Sequence, residues 1–172
     1  MGVCSETKPT LLAGYIITIV AFVIHLIGFS TPYWYVKETT LVVLTRSYTT
    51  KVYFGLWKYC LSSSSISTCV STGAIADLTL TKAVECISFI LFVAAVVCLT
   101  IRMFALKDKD ILIMVASGLC IAAGVFALIG VVIIGVNEKY KDNLNFSFAV
   151  CVIGGIAGII AGAVPVVAKY KS

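Results

Sequence analysis

The chain has 172 residues, of which 60% are hydrophobic and only 12% charged, with a formal net charge of +5. Soluble domains carry about 25% charge, so a mean hydropathy of +1.08 excludes an ordinary water-soluble fold. The basic residues are spread over every polar segment, which suits a membrane setting better than a nucleic-acid surface.

The start, MGVCSE, does not complete a myristoylation pattern, because Glu6 stands where Ser or Thr is required. The first apolar run covers 11–29, with His25 as its sole ionisable group. At about 1.5 Å per residue a run of this length reaches roughly 28 Å, close to a hydrocarbon core of about 30 Å. Lipid offers backbone amides no partner, so such a run must be helical. It outlasts a signal-peptide core, and HLIGFSTPYW has no small-x-small cleavage site, so the segment is expected to stay attached.

Residues 30–82 form the long polar loop. TTLVVLT and SYTTKVYFGLWKY are rich in Val, Thr and Tyr and partly alternate, which predicts an antiparallel sheet of about four strands lying on the membrane surface. Gly55 marks a bulge or a close backbone approach. Tyr33, Trp34 and Tyr35 directly follow the first run and read as an interfacial aromatic belt. Trp57, far from any span end, reads as filling a seam between the sheet and the helix ends.

Cys60 and Cys69 flank the serine run of the loop. Their spacing suits a disulfide across the last hairpin, worth about 2–3 kcal/mol in the chain-entropy model, and places the loop outside the cytosol. The alternative is two free thiols that share a loop.

Three further apolar runs follow: 83–101 with Glu85 near its start, 111–136 without charge, and 146–168 without charge, the last two separated by a short second loop, 137–145. Four spans put both ends on one side. Lys8, Arg102, Lys107, Lys109, Lys169 and Lys171 lie there, against Lys37, Arg46, Lys51, Lys58, Lys82, Lys139 and Lys141 opposite. Density near the span ends tilts the termini toward the cytoplasm.

Cys86, Cys98, Cys120 and Cys151 sit within spans as small hydrophobes. Cys4 and Cys98 are candidate palmitoylation sites. Gly154, Gly158 and Gly162 recur at four-residue steps with Gly155 alongside, a spacing expected to put them on one face for packing inside the bundle. Pro165 should bend the last turn. Glu85 is expected to reach Lys82 at i−3 or to rest on its helix N-terminus. His25 is expected to be a neutral, hydrogen-bonded member of the bundle. No second carboxylate, serine or cysteine is expected in place to make either catalytic or metal-binding, so catalytic and metal-ligating residues are set at none. Asn145-Phe-Ser147 fits a glycosylation sequon but abuts the fourth run and is expected to be unmodified.

The pattern Trp34…Gly55-Leu56-Trp57-x-x-Cys60-x8-Cys69 resembles the W-GLW-C-C signature of the claudin superfamily, which includes claudins, peripheral myelin and epithelial membrane proteins and channel auxiliary subunits. The resemblance covers the whole chain. It implies a left-handed four-transmembrane-helix bundle, all-α with a small β layer, topped by an extracellular sheet of about five strands and free of a catalytic site. Trp34, Gly55, Leu56, Trp57, Cys60 and Cys69 then take the signature positions. Lys82 resembles the arginine often found there in claudins, without its planar fork. Two features depart from claudins proper: the second outer loop is short, and the tail KYKS lacks a terminal valine. Both shift the chain toward the myelin and epithelial membrane branch or an invertebrate-type relative.

The expected function is that of a plasma-membrane interaction protein, working at cell–cell contacts, in a junctional barrier or in membrane organisation. Its partners are the lipid bilayer, further copies of itself and other claudin-like or channel membrane proteins, with no cofactor, nucleic acid or small-molecule substrate. The segment Thr39–Leu44 is the expected contact strand. Lys37, Arg46, Lys51 and Lys58 against Glu38 and Asp77 would make a path lined by this loop disfavour cations. The alternative is an auxiliary subunit docking beside a channel or receptor through its third and fourth spans. A pore through its own bundle is disfavoured, since almost no charge lies within the spans.

Overall fold

Each apolar run becomes a helix longer than a bilayer requires. The computed structural model describes residues 9–43, 46–63, 66–74, 78–106 and 110–170. Helix α1 runs Pro9–Ser30, α2 Thr79–Phe104, α3 Ile111–Gly135 and α4 Phe146–Tyr170. Pro9 opens α1, where its missing N–H would have had no partner anyway. Helix α2 begins at Thr79, ahead of the apolar run at Ala83, because a turn already nucleated extends at little cost into wet sequence. Among the described residues all four helices are long and apolar enough to cross a membrane.

The helices are apolar on their outer faces and carry their polar residues inward. Ile16, Val20, Val23 and Ile27 of α1 are exposed, as are Ile87, Ile90 and Val97 of α2, while Thr18, His25, Thr81, Glu85, Ser88 and Ser117 are buried. In water that arrangement would be inverted; in lipid it is the favoured one. Where helices touch, hydroxyls cross between them. Ser88 donates to the Ala123 carbonyl at 2.8 Å, and Tyr15 meets Thr100 at 3.1 Å. Such bonds average about 0.6 kcal/mol in membrane bundles, so packing has to supply the rest.

Glycine supplies it. Helix α4 packs against both α1 and α3, and α2 packs against α3, whereas α1 and α2 meet over a much smaller seam. A Cβ at Gly154 would lie 2.9 Å from the His25 backbone nitrogen on α1. At Gly158 it would lie 2.6 Å from the Phe92 ring on α2, and at Gly162 2.6 Å from the Ser117 carbonyl on α3. The three glycines therefore serve three different helices rather than one face. The reason is geometric: at 3.6 residues per turn, each four-residue step rotates the position by about 40°. On α3, a Cβ at Gly124 would lie 2.8 Å from the Ile159 side chain of α4, whereas one at Gly118 would have nothing within 4 Å. Pro165 lies inside α4, where its ring is seated 3.0 Å from the place a Cβ on Gly14 would take.

Between α1 and α2 the chain forms a four-stranded antiparallel sheet in the order β1-β2-β3-β4. The strands are β1 Tyr35–Val43, β2 Arg46–Phe54, β3 Lys58–Ser63 and β4 Ser67–Ser71. A single bridge joins Tyr35 to Leu144 of the short second loop. The residue pattern predicted about four strands and the resemblance implied about five; four form among the described residues. The sheet is seated on one end of the bundle by a core of Trp34, Tyr35, Phe54, Leu56 and Leu78 against Val131, Ile134 and Cys151.

Candidate interaction surface and buried polar cluster

The sheet is fastened to the bundle at the point where α1 ends. A helix terminus leaves its last carbonyls without intrahelical donors, and burying them unpaired is costly. Here Ser30 Oγ donates to the Leu26 carbonyl at 2.7 Å and Thr31 Oγ1 to the Ile27 carbonyl at 2.6 Å. The next two carbonyls, Gly28 and Phe29, accept from the indoles of Trp34 and Trp57, each at 2.9 Å. Two tryptophans distant in sequence thus complete one helix end.

Their environments are the reverse of those expected. Trp34, read as part of an aromatic belt, is fully buried and edge-on to Phe148 at 6.3 Å. Trp57, read as a seam filler, is 39% exposed and stands edge-on to Phe29 at 5.1 Å. The difference follows from position: Trp34 immediately precedes β1, where its backbone N–H donates to the Phe54 carbonyl at the end of β2, and Trp57 occupies the corner of a turn.

That turn joins β2 to β3. Gly55 N–H closes it on the Lys58 carbonyl at 2.9 Å. Gly55 itself touches the backbone after α1: a Cβ there would lie 2.6 Å from the Thr31 carbonyl and 2.7 Å from Pro32 Cα. Of the two readings open for this glycine, close approach is the one realised. Leu56 is fully buried, and its carbonyl accepts from the buried Thr72 hydroxyl. Lys82 Nζ donates to the Thr72 carbonyl at 2.7 Å, tying the first turns of α2 to the same corner. Lys82 is therefore directed at the turn, not at Glu85. Thr72 and Ser147 were not legible as tie points; Ser147 lies buried in the sequon position and its hydroxyl meets both Thr31 Oγ1 at 2.7 Å and Tyr33 N–H at 3.1 Å.

Cys60 and Cys69 are joined in a disulfide and face each other in register across β3 and β4. The bond thus closes the last hairpin. Beyond it β4 is exposed throughout, and Leu61 at 45%, Ile66 at 71% and Val70 at 57% place apolar side chains at this end of the sheet. The other edge is β1. Its first residue is covered by the Leu144 bridge, while Thr39 and Thr40 are exposed; Leu44 lies outside the described residues. The hairpin of β1 and β2 carries a cross-strand ion pair, Lys51 to Glu38 at 2.9 Å. The hydrogen bond that Lys51 donates to Glu38, reinforced by the carboxylate's charge, holds the ammonium above its ordinary range. Of the remaining charges named for this loop, Asp77 also lies outside the described residues.

Within the bundle, His25 of α1, Glu85 of α2 and Cys151 of α4 converge, all fully buried, with one donor atom of each within 4.8 Å of the others. This corrects the expectation that no cysteine is placed with His25 or Glu85 as a possible metal ligand. It also corrects the hydrogen-bonded role given to His25: His25 Nε2 is 3.8 Å from Glu85 Oε2, and neither ring nitrogen nor either carboxylate oxygen has a hydrogen-bond partner. Three residues on three helices meet only once the helices are rotated against each other, so no local signal announces them.

Elsewhere, Cys98 is half-buried beside the cluster of Leu11, Leu99, Met103 and Ala116 at the opposite end, and Cys4 lies outside the described residues. Arg102 pairs with Asp110 at 3.2 Å across the connection from α2 to α3.

A bundle of bilayer-length helices with a stapled sheet on one end is the architecture of a capped four-span membrane protein. The chain belongs to the PMP-22/EMP/MP20/claudin tight junction family, whose model matches residues 19–164, from the middle of α1 to the last turns of α4. No individual curated protein matches it.

Proposed function

We propose that this chain is a non-catalytic interaction protein of the plasma membrane, with its termini in the cytoplasm and its sheet outside. There it would hold cells together, contribute to a junctional barrier or organise the membrane by meeting other copies or other membrane proteins. The observation that carries this reading is a disulfide-closed sheet whose edge strands, β4 and β1 beyond its first residue, pair with no further strand among the described residues, with Val70 of β4, Leu61 of β3 and Ile66 between them exposed. Unpaired strand edges bearing apolar side chains are templates for association. The disulfide supports an outward sheet, because such bonds persist in oxidising compartments.

A second reading, an auxiliary subunit beside a channel or receptor, is favoured by a shallow apolar groove on α3 lined by Val125, Leu128, Ile129, Val132 and Ile133. Expression in cells that form no junctions separates the two. Enrichment at contacts between expressing cells, lost on Ile66→Lys and Val70→Lys, supports the first. Uniform distribution with recovery of one large pore-forming partner, lost on Ile129→Trp, supports the second. As a further part of the proposal, Cys4 and Cys98 are acylation sites on the cytoplasmic side, to be read by acyl-exchange labelling of each Cys→Ser variant.

A further inference from the structure

The convergence of His25, Glu85 and Cys151 is more than an accident of burial, because each of the three residues is seated against a glycine of another helix. A Cβ at Gly154 of α4 would press on the His25 backbone at 2.9 Å. At Gly28 of α1 it would meet the Cys151 sulfur at 2.5 Å, and at Gly130 of α3 it would run into the Glu85 carboxylate. Three of the four helices, α1, α3 and α4, thus give up side-chain volume around these residues. The four nitrogen and oxygen atoms at the centre have no hydrogen-bond partner. Unpaired buried carboxylates are costly in any protein and more so in a bilayer, where they mark functional sites.

We propose that the His25 imidazole, the Glu85 carboxylate and the Cys151 thiolate form a transition-metal site, for which Zn²⁺ is the best-matched ion. One nitrogen, one oxygen and one sulfur donor make a set that a borderline-soft ion accepts and that hard Mg²⁺ and Ca²⁺ do not. The charges balance: a divalent ion against one thiolate, one carboxylate and a neutral imidazole leaves no net charge to bury. On binding, the thiol proton and any proton held by the carboxyl leave to solvent, and the three donor lone pairs form the bonds to the metal. Zinc held by three protein donors takes a water as its fourth ligand, and tetrahedral bonds of about 2.0–2.3 Å set the donors about 3.3–3.6 Å apart. The 3.8 Å between His25 Nε2 and Glu85 Oε2, and the 4.8 Å within which all three donors lie, leave about an ångström for the donors to close on binding. Phe92, 5.2 Å from the imidazole, and Phe29 at 6.0 Å wall the site with aromatic rings.

The ion would bridge α1, α2 and α4, including the seam between α1 and α2 where the bundle has least contact. Lipid gives helices no hydrophobic reason to associate. A metal at this level would fasten the bundle as the disulfide fastens the sheet, whichever partner the sheet meets.

The test uses the full chain, expressed without a polyhistidine tag in medium supplemented with Zn²⁺ or Co²⁺ and purified into lipid nanodiscs. Elemental analysis should find one equivalent of metal per chain after gel filtration. The cobalt form should show tetrahedral visible bands and a thiolate-to-cobalt charge-transfer band. Cys151→Ser should abolish the sulfur band and lower affinity at least about tenfold, as should His25→Gln, while Cys86→Ser keeps both. Wild-type protein with its disulfide and helix content intact but free of metal overturns the proposal, and so does a sulfur band that survives Cys151→Ser. The wild-type metal content decides the matter even where a variant fails to fold.

Discussion

Two places on α1, little more than a turn apart, treat polar atoms in opposite ways. At its end the carbonyls of Leu26, Ile27, Gly28 and Phe29 each receive a side-chain donor, two hydroxyls and two indoles. At His25 both ring nitrogens go without. The first is the accounting of a structural joint, in which every group has its partner and none is left for a ligand. The second leaves donors over, and in a membrane that surplus is tolerated where something else is bound. Saturation marks the joint; surplus marks the site.

If the joint is structural, damage to it should cost stability in proportion to how immovable the disturbed atoms are. Gly55→Ala should cost most, at least about 3 kcal/mol, because its Cβ meets backbone that has no room to retreat. Unfolding in mixed micelles reads it, and a variant as stable as wild type would remove close approach as the reason for this glycine. Cys60→Ser with Cys69→Ser should cost about 2–3 kcal/mol, by freeing the last hairpin in the unfolded chain. The loss should appear in wild type under reductant and not in the double variant.

The two tryptophans sharpen the comparison further. Trp34→Phe strands a buried carbonyl and should cost about 1–3 kcal/mol, whereas Trp57→Phe, at an exposed corner where water can replace the indole, should cost about 0.5–1.5 kcal/mol. Equal losses would mean that the two carbonyls are equally shielded. Smallest is the surface pair. With Lys51 held above its ordinary value of 10.5 by Glu38, the contribution of the pair is complete below that value and disappears as pH rises through the raised one. Glu38→Gln should return Lys51 to its ordinary titration, seen by NMR, with no resolvable change in melting near neutral pH.

The four helices were legible because lipid makes hydrophobicity a local property: a run long enough to span must be a helix whatever its neighbours do. The disulfide was legible because its cysteines face each other within one hairpin, where spacing and register are nearly the same information. Trp34 and Trp57 were visible as important and assigned to each other's places, since an indole's burial depends on which carbonyl it finds. Thr72 and Ser147 carried no local mark at all.

Sequence alone therefore determined what crosses the bilayer, which loop is stapled and where small residues thin the helices. Tertiary structure decided how the helices are turned, and with that which glycine meets which helix, which indole is buried, and that His25, Glu85 and Cys151 meet. Hydropathy and cysteine spacing act along the chain over a few residues, whereas helix rotation is set by packing summed over the whole bundle.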